Sequence, residues 1–258
     1  MVCDCDVGDP GFTFVVGKLG KFNNDGFLSG TIAATEPGGM IKFGQNVFMT
    51  DGSAVTADKI KVGALTSLFD VNANVLYLTP DDVFRGTVTS PLAALPSIDP
   101  TCEELYLADV TGPCGAPAVT VPAGTTLNSL APGVYGALFI DDGGALLLPA
   151  FGTYTFCSIR MDKYATFRPS QQITVNVTGN VSVGAGSIMT TNSGLPFVLN
   201  VGGSLFRISQ GAYVNAAIHL PYGKIKLQRD GTITGCACTA SIKTDKHVTM
   251  TCNDGTGP

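Results

Sequence analysis

The sequence predicts an all-β fold, a right-handed parallel β-helix (β-solenoid) with a loop excursion near its middle. Three observations point to it. Strand-length runs replace helical periodicity, one corner phrase recurs along the chain, and glycines recur at the joints between runs.

The runs come first. Phe12–Val16, Ile41–Phe43, Asn46–Met49, Ile173–Val177, Phe197–Val201 and Lys224–Leu227 are apolar or alternating and of strand length, each closed by Gly, Asn, Asp or Pro. Few windows hold apolar residues at i, i+3, i+4 and i+7 without a Gly, Pro or β-branched interruption.

The phrase is the stronger signal. Residues 157–167 (Cys-Ser-Ile-Arg-Met-Asp-Lys-Tyr-Ala-Thr-Phe) align with 240–250 (Ala-Ser-Ile-Lys-Thr-Asp-Lys-His-Val-Thr-Met), and a looser copy runs from Ala57 to Phe69. A buried Ile, an exposed cation, a turn and a new inward position describe one corner between two short strands. Gly179, Gly184, Gly186, Gly202, Gly203, Gly211, Gly223 and Gly231 stand at the joints between runs, where solenoid corners are expected to call for residues that accept positive φ. A β-sandwich also has many short strands but does not naturally repeat a corner phrase. The right hand follows from the rule for parallel crossovers.

The chain divides on this reading into an N-terminal Cys-containing segment (1–11), solenoid coils (12–90), a proline-rich excursion (91–132), further coils (133–252) and a tail (253–258). Eight cysteines, Cys3, Cys5, Cys102, Cys114, Cys157, Cys236, Cys238 and Cys252, sit mostly at chain ends and loop bases, which favours disulfides and an oxidising, extracellular or cell-surface location. Cys102 and Cys114 bracket the excursion and are read as its staple. Cys-x-Cys occurs twice, but zinc knuckles use Cys-x2-Cys, so no metal site is expected. No signal peptide is visible at residue 1.

Charged residues are only 14% of the chain and the net charge is −5. No Lys/Arg cluster is visible along the sequence, which speaks against nucleic acid and against an anionic membrane surface, and no run is long enough for a membrane span. Asn176 and Asn180 begin glycosylation sequons but lie within a strand pattern, and are read as polar strand positions.

No catalytic residue and no cofactor is expected. His219 reads as a satisfied half-buried imidazole and His247 as a corner residue. Asp81–Asp82 and Asp141–Asp142 are adjacent pairs beside Pro or Gly, where Asp serves turns. Thr66, Thr87, Thr89, Thr166 and Thr249 raise ice binding, which uses regular outward Thr ladders, but no Thr-x-Thr at constant coil spacing is read.

Leu148–Phe156 (Leu-Pro-Ala-Phe-Gly-Thr-Tyr-Thr-Phe) and Ile173–Val183 (Ile-Thr-Val-Asn-Val-Thr-Gly-Asn-Val-Ser-Val) resemble phrases of bacterial secreted and cell-surface β-solenoid proteins, some pilus-associated, with the match covering about 130–210. The resemblance implies surface display, adhesion or assembly. With two open solenoid ends and no visible cap, the expected function is a self-assembling subunit of a surface filament or adhesive appendage, polymerising head-to-tail or laterally. The alternative is a glycan-binding or glycan-cleaving β-helix with a glycan or surface ligand.

Overall fold

The computed structural model describes residues 14–92, 114, 116–170 and 173–251. They form a parallel β-solenoid of about 11 turns with no helix, built from 26 strands among the described residues. Each turn contributes a strand to three faces, called A, B and C in chain order within a turn.

The turns do not stack in chain order. The stack begins at Val119–Val121 and climbs through Leu138–Ile140 and Ile159–Met161 to Thr232–Thr244. There the next rung is the N-terminal strand Phe14–Phe22, which pairs in parallel with Thr232–Thr244 on one side and with Thr31–Ala34 and Met40–Phe43 on the other. The stack then ends on Val83–Phe84 and Val88–Thr89. The two coil sets read separately from the sequence are thus one solenoid, closed C-terminal coil on N-terminal coil. Ten steps of about 4.8 Å give a stack about 48 Å long.

The excursion expected over 91–132 is shorter at its C-terminal end, because Val119–Val121 and Thr126–Leu127 already pair as the first rung. Its staple also differs. Cys114 bonds Cys157, not Cys102, with Cα atoms 5.3 Å apart, and so ties that rung to the coil body. Cys236 and Cys238 are disulfide-bonded as well. Cys3, Cys5, Cys102 and Cys252, the segment 1–11 and the tail 253–258 lie outside the described residues.

The core follows from strand alternation. Inward columns such as Leu146, Phe167, Met189, Val214, Ile233, Met250, Leu28 and Met49 stack rung on rung and are fully buried. Phe22 and Phe43 stack with ring centroids 5.5 Å apart in the neighbouring column.

The repeated phrase is the corner between faces B and C, and it recurs beyond the three copies read from sequence. Its third turn residue has positive φ on ten successive rungs: Gly124, Gly143, Tyr164, Gly186, Gly211, Asp230, His247, Asp25, Asn46 and Leu65. Tyr164, His247 and Leu65 are the aligned positions of the three copies, so the phrase encodes a left-handed residue before a small buried one (Ala165, Val248, Thr66). Gly, Asn and Asp tolerate this conformation; Leu pays about 1–2 kcal/mol for it. Leu65 is 64% exposed at φ 59°, so its side chain packs little in return. Leu65→Gly is therefore expected to raise stability by about 0.5–1 kcal/mol after the entropy of glycine is charged, read as a higher denaturant midpoint at unchanged slope.

Candidate functional site

The three faces differ in what their outward side chains offer, and that difference selects the site.

Face A is partly covered. Its outward residues Ala33, Asn176, Ala217, His219 and Cys238 are buried, with Asn176 at 1% and His219 at 6% exposure, while Thr174, Val198 and Asn200 beside them are half-buried. They sit on successive or nearby rungs of one column set. Asn200 donates from Nδ2 to Asn176 Oδ1 at 2.8 Å, and its own Oδ1 lies 2.8 Å from His219 Nδ1. With the amide turned that way, His219 is the neutral Nδ1–H tautomer and donates to Asn200. Burial pushes its pKa down to about 4. His219 is thus the satisfied imidazole expected from sequence, more deeply buried than read there. Asn176 is inside, and of the two sequon asparagines only Asn180 is exposed.

The remaining candidates sit at corners. His247 is the exposed corner residue expected, 4.0 Å from Asp25. Asp81–Asp82 and Asp141–Asp142 lie in corner turns, where Asp82 Oδ2 accepts the Thr79 N–H at 2.6 Å and Asp142 Oδ1 the Lys163 N–H at 2.9 Å. Both pairs serve the backbone, as turn residues do. Among the described residues no three His, Cys, Asp or Glu side chains converge to hold a metal.

Face B is cationic. Arg207, Lys226, Lys243, Lys21, Lys42 and Lys61 occupy one outward column on six successive rungs. Arg160 stands two rungs further, beyond Ser182. Lys224 and Lys59 add two charges in the parallel column. These nine are most of the 15 Lys and Arg in the chain. The sequence-level expectation of no basic cluster is therefore corrected: the cations are about one coil apart along the chain, and coiling stacks them.

Face C is almost free of charge, and it is open except at Asn215, which is buried where it donates to the Gly194 carbonyl. One outward column reads Thr126, Ala145, Thr166, Ile188, Tyr213, Thr232, Thr249, Phe27, Phe48, Ser67 and Val83. Two residues along each strand, a second column includes Thr190, Thr234, Thr251, Ser29 and Thr50. No lysine and no acidic side chain stands in either column among the described residues. The charges present are Arg168 and, at the last rung, Arg85. Arg85 lies folded over the Phe48 ring, 4.5 Å from its centroid, and pairs with Asp51.

At the centre of face C, Thr232-x-Thr234 and Thr249-x-Thr251 are directly paired, forming a square of four threonines on adjacent rungs. The Thr251 and Thr234 hydroxyls are 3.4 Å apart. Next to the square, Phe27 and Phe48 stack at 5.8 Å, each about 40% exposed. These Thr-x-Thr pairs were missed in the sequence because only the register shows that their spacing is one coil. Thr66, one of the threonines that raised ice binding in the sequence, is fully buried.

Fold and faces together define a β-solenoid with one partly covered, one cationic and one nearly uncharged side. No family model matches the chain, and no curated protein matches it. Solved structures similar to it include three ice-binding proteins. The one from the Antarctic ascomycete Antarctomyces psychrotrophicus is 14% identical, covers 96% of this chain and 97% of its own, and has a TM-score of 0.39. LeIBP, an Arctic yeast ice-binding protein described for its antifreeze activity, is 13% identical over 96% and 93%, with a TM-score of 0.41. An ice binding protein from an Antarctic Biological Consortium is 11% identical over 98% and 91%, with a TM-score of 0.34. These likenesses are too distant to carry a function by themselves.

The expected filament subunit, and its glycan-binding or glycan-cleaving alternative, give way here. The similar solved proteins bind ice, a different function. The charge is also unevenly distributed, with nine cations gathered on face B, and both aspartate pairs are corner residues, as read from the sequence. Among the described residues no helix is long and apolar enough to cross a membrane.

Proposed function

We propose that this chain binds ice, through face C. The observation that carries this reading is the pair of registered outward columns, uncharged over most of the stack and centred on Thr232, Thr234, Thr249 and Thr251.

The physical argument starts from the ligand. An ice surface is a rigid plane of water with a two-dimensional repeat, and it cannot enter a pocket. Its recognition needs a rigid plane with a repeat of its own. Face C has one, about 4.8 Å between rungs and about 6.7 Å between outward residues along a strand. Threonine suits this surface because its branched Cβ limits χ1, so little rotamer freedom is lost on contact. Its methyl supplies apolar contact and its hydroxyl can join the water network. Lysine and glutamate, which hold their own hydration and lose much side-chain entropy, are absent from these columns. The exposed Phe27, Phe48 and Ile188 extend the face as an apolar patch, a feature that marks a binding surface on soluble proteins. The Cys114–Cys157 disulfide favours an oxidising, extracellular setting for that encounter.

The direct test is thermal hysteresis of the full chain together with inhibition of ice recrystallisation. A gap between melting and growth temperatures with faceted crystals is the expected result. A protein with an intact β spectrum that shows neither effect overturns the reading.

A further inference from the structure

The cationic column of face B lies outside the face proposed to meet ice, and it carries a cost that calls for an explanation. Like charges directly opposite across neighbouring strands destabilise a sheet, yet six successive rungs, from Arg207 to Lys61, place a cation at the same outward position. None of the six makes an ion pair among the described residues. The chain carries 20 acidic residues and a net charge of −5, yet no carboxylate stands within the column of six itself. A charge segregated this strongly on a flat face is complementary to an extended anion.

We propose that face B is a docking surface for an anionic lipid bilayer. Three features favour a bilayer over a nucleic acid. The face is flat over a column about 24 Å long, five steps of about 4.8 Å, and a plane is met by a plane. Lipid headgroups diffuse laterally and adjust to any fixed pitch of cations, whereas the phosphates of a nucleic acid have a pitch of their own. Its aromatic side chains, Tyr77 beside Lys61 and Phe139 beside Arg160, stand only at the ends of the column and are not interleaved among the cations as a platform for single-stranded bases requires. In the adjacent outward column it carries instead the apolar Leu19 and Met40, flanked by Lys59 and Lys224. Leu19 is 39% exposed, and such residues favour shallow contact with the headgroup region while the lysines meet its charge. Faces B and C point in different directions, so a docked molecule leaves face C free.

Co-sedimentation with vesicles tests this. The full chain is mixed with phosphatidylcholine vesicles containing phosphatidylserine, or with phosphatidylcholine alone. Binding to the anionic vesicles only, falling by about tenfold or more as salt rises through the range where the Debye length shrinks from about 10 Å to about 3 Å, is the expected outcome. The triple variant Lys21→Gln, Lys42→Gln, Lys243→Gln is expected to lose at least about tenfold in partitioning, as each lysine near an anionic surface contributes comparably, while thermal hysteresis is unchanged. Should the triple variant fold poorly, the single Lys42→Gln and the salt series on the unaltered chain decide the matter. Equal binding to neutral vesicles, no binding at low salt, or displacement from vesicles by duplex DNA at equal charge overturns the proposal. A chain without thermal hysteresis that still binds anionic vesicles refutes the ice reading alone.

Discussion

Thr249→Tyr is expected to reduce thermal hysteresis by at least about tenfold, the equivalent of about 1.4 kcal/mol of lost surface affinity. Thr249 lies at the centre of face C, between Thr232 on one rung and Phe27 on the other. A flat ligand touches a flat face everywhere or rests on its highest point. A tyrosine at this place matches Phe27 in size and not the threonines, so it stands above Thr232 and Thr251 and lifts the ice off the threonine square. The fold has little reason to change, because the residue points outward and the inward column is carried by Met250; stability is expected to move by no more than about 0.5 kcal/mol. Thr249→Val and Thr249→Ser then separate the two halves of the side chain. If the methyl and the shape of the plane dominate, the valine variant keeps most of the activity and the serine variant less. Lys243→Thr on face B is the control and is expected to leave hysteresis intact. Full activity in the tyrosine variant, with the control also active, places the ice surface elsewhere.

The same register explains what the sequence could and could not show. The corner phrase was legible, because Ile159/Ile242, Tyr164/His247 and Phe167/Met250 hold inward, left-handed and inward positions in both copies. The repeat at other corners was not, because Gly186, Asp230 and Asn46 meet one backbone requirement with different side chains. The order of turns was hidden for a different reason. Nothing local in Phe14–Phe22 says that its partner is Thr232–Thr244, more than two hundred residues away. Both exposed faces depend on that order. Lys21 joins Lys243, and Phe27 joins Thr249, only once the N-terminal coil closes on the C-terminal one. A linear scan for basic clusters or Thr-x-Thr ladders tests neighbours in sequence, whereas a solenoid makes neighbours of residues one coil apart. The corner cysteine was legible as a disulfide former but not its partner, because Cys157 is brought beside Cys114 only by the coil that separates them in sequence.

Acidification is expected to cost this protein about 3 kcal/mol through His219 alone. The imidazole is buried on face A and has a folded pKa of about 4 against 6.5 in the unfolded chain. Between those values the unfolded chain binds a proton that the folded one does not, so stability falls as pH falls. The contribution is present in full above about pH 6.5, is lost progressively toward pH 4, and changes no further below it; 2.5 pH units at about 1.4 kcal/mol each give the magnitude. In a chain of this size that corresponds to a fall in Tm of roughly 6–12 °C. Other groups also titrate in this range, so the decisive comparison is with His219→Asn. An asparagine Nδ2 occupies nearly the place of the imidazole Nδ1 and can donate to Asn200 Oδ1, which continues the amide ladder that Asn200 already forms with Asn176. The variant keeps the hydrogen bond and removes the titration. Its Tm is expected to decline less steeply between pH 6.5 and pH 4, with the two curves parallel above and below that window. Parallel curves throughout would show that the imidazole reaches solvent and charges in the folded state, and face A would then be open where the structure has it covered.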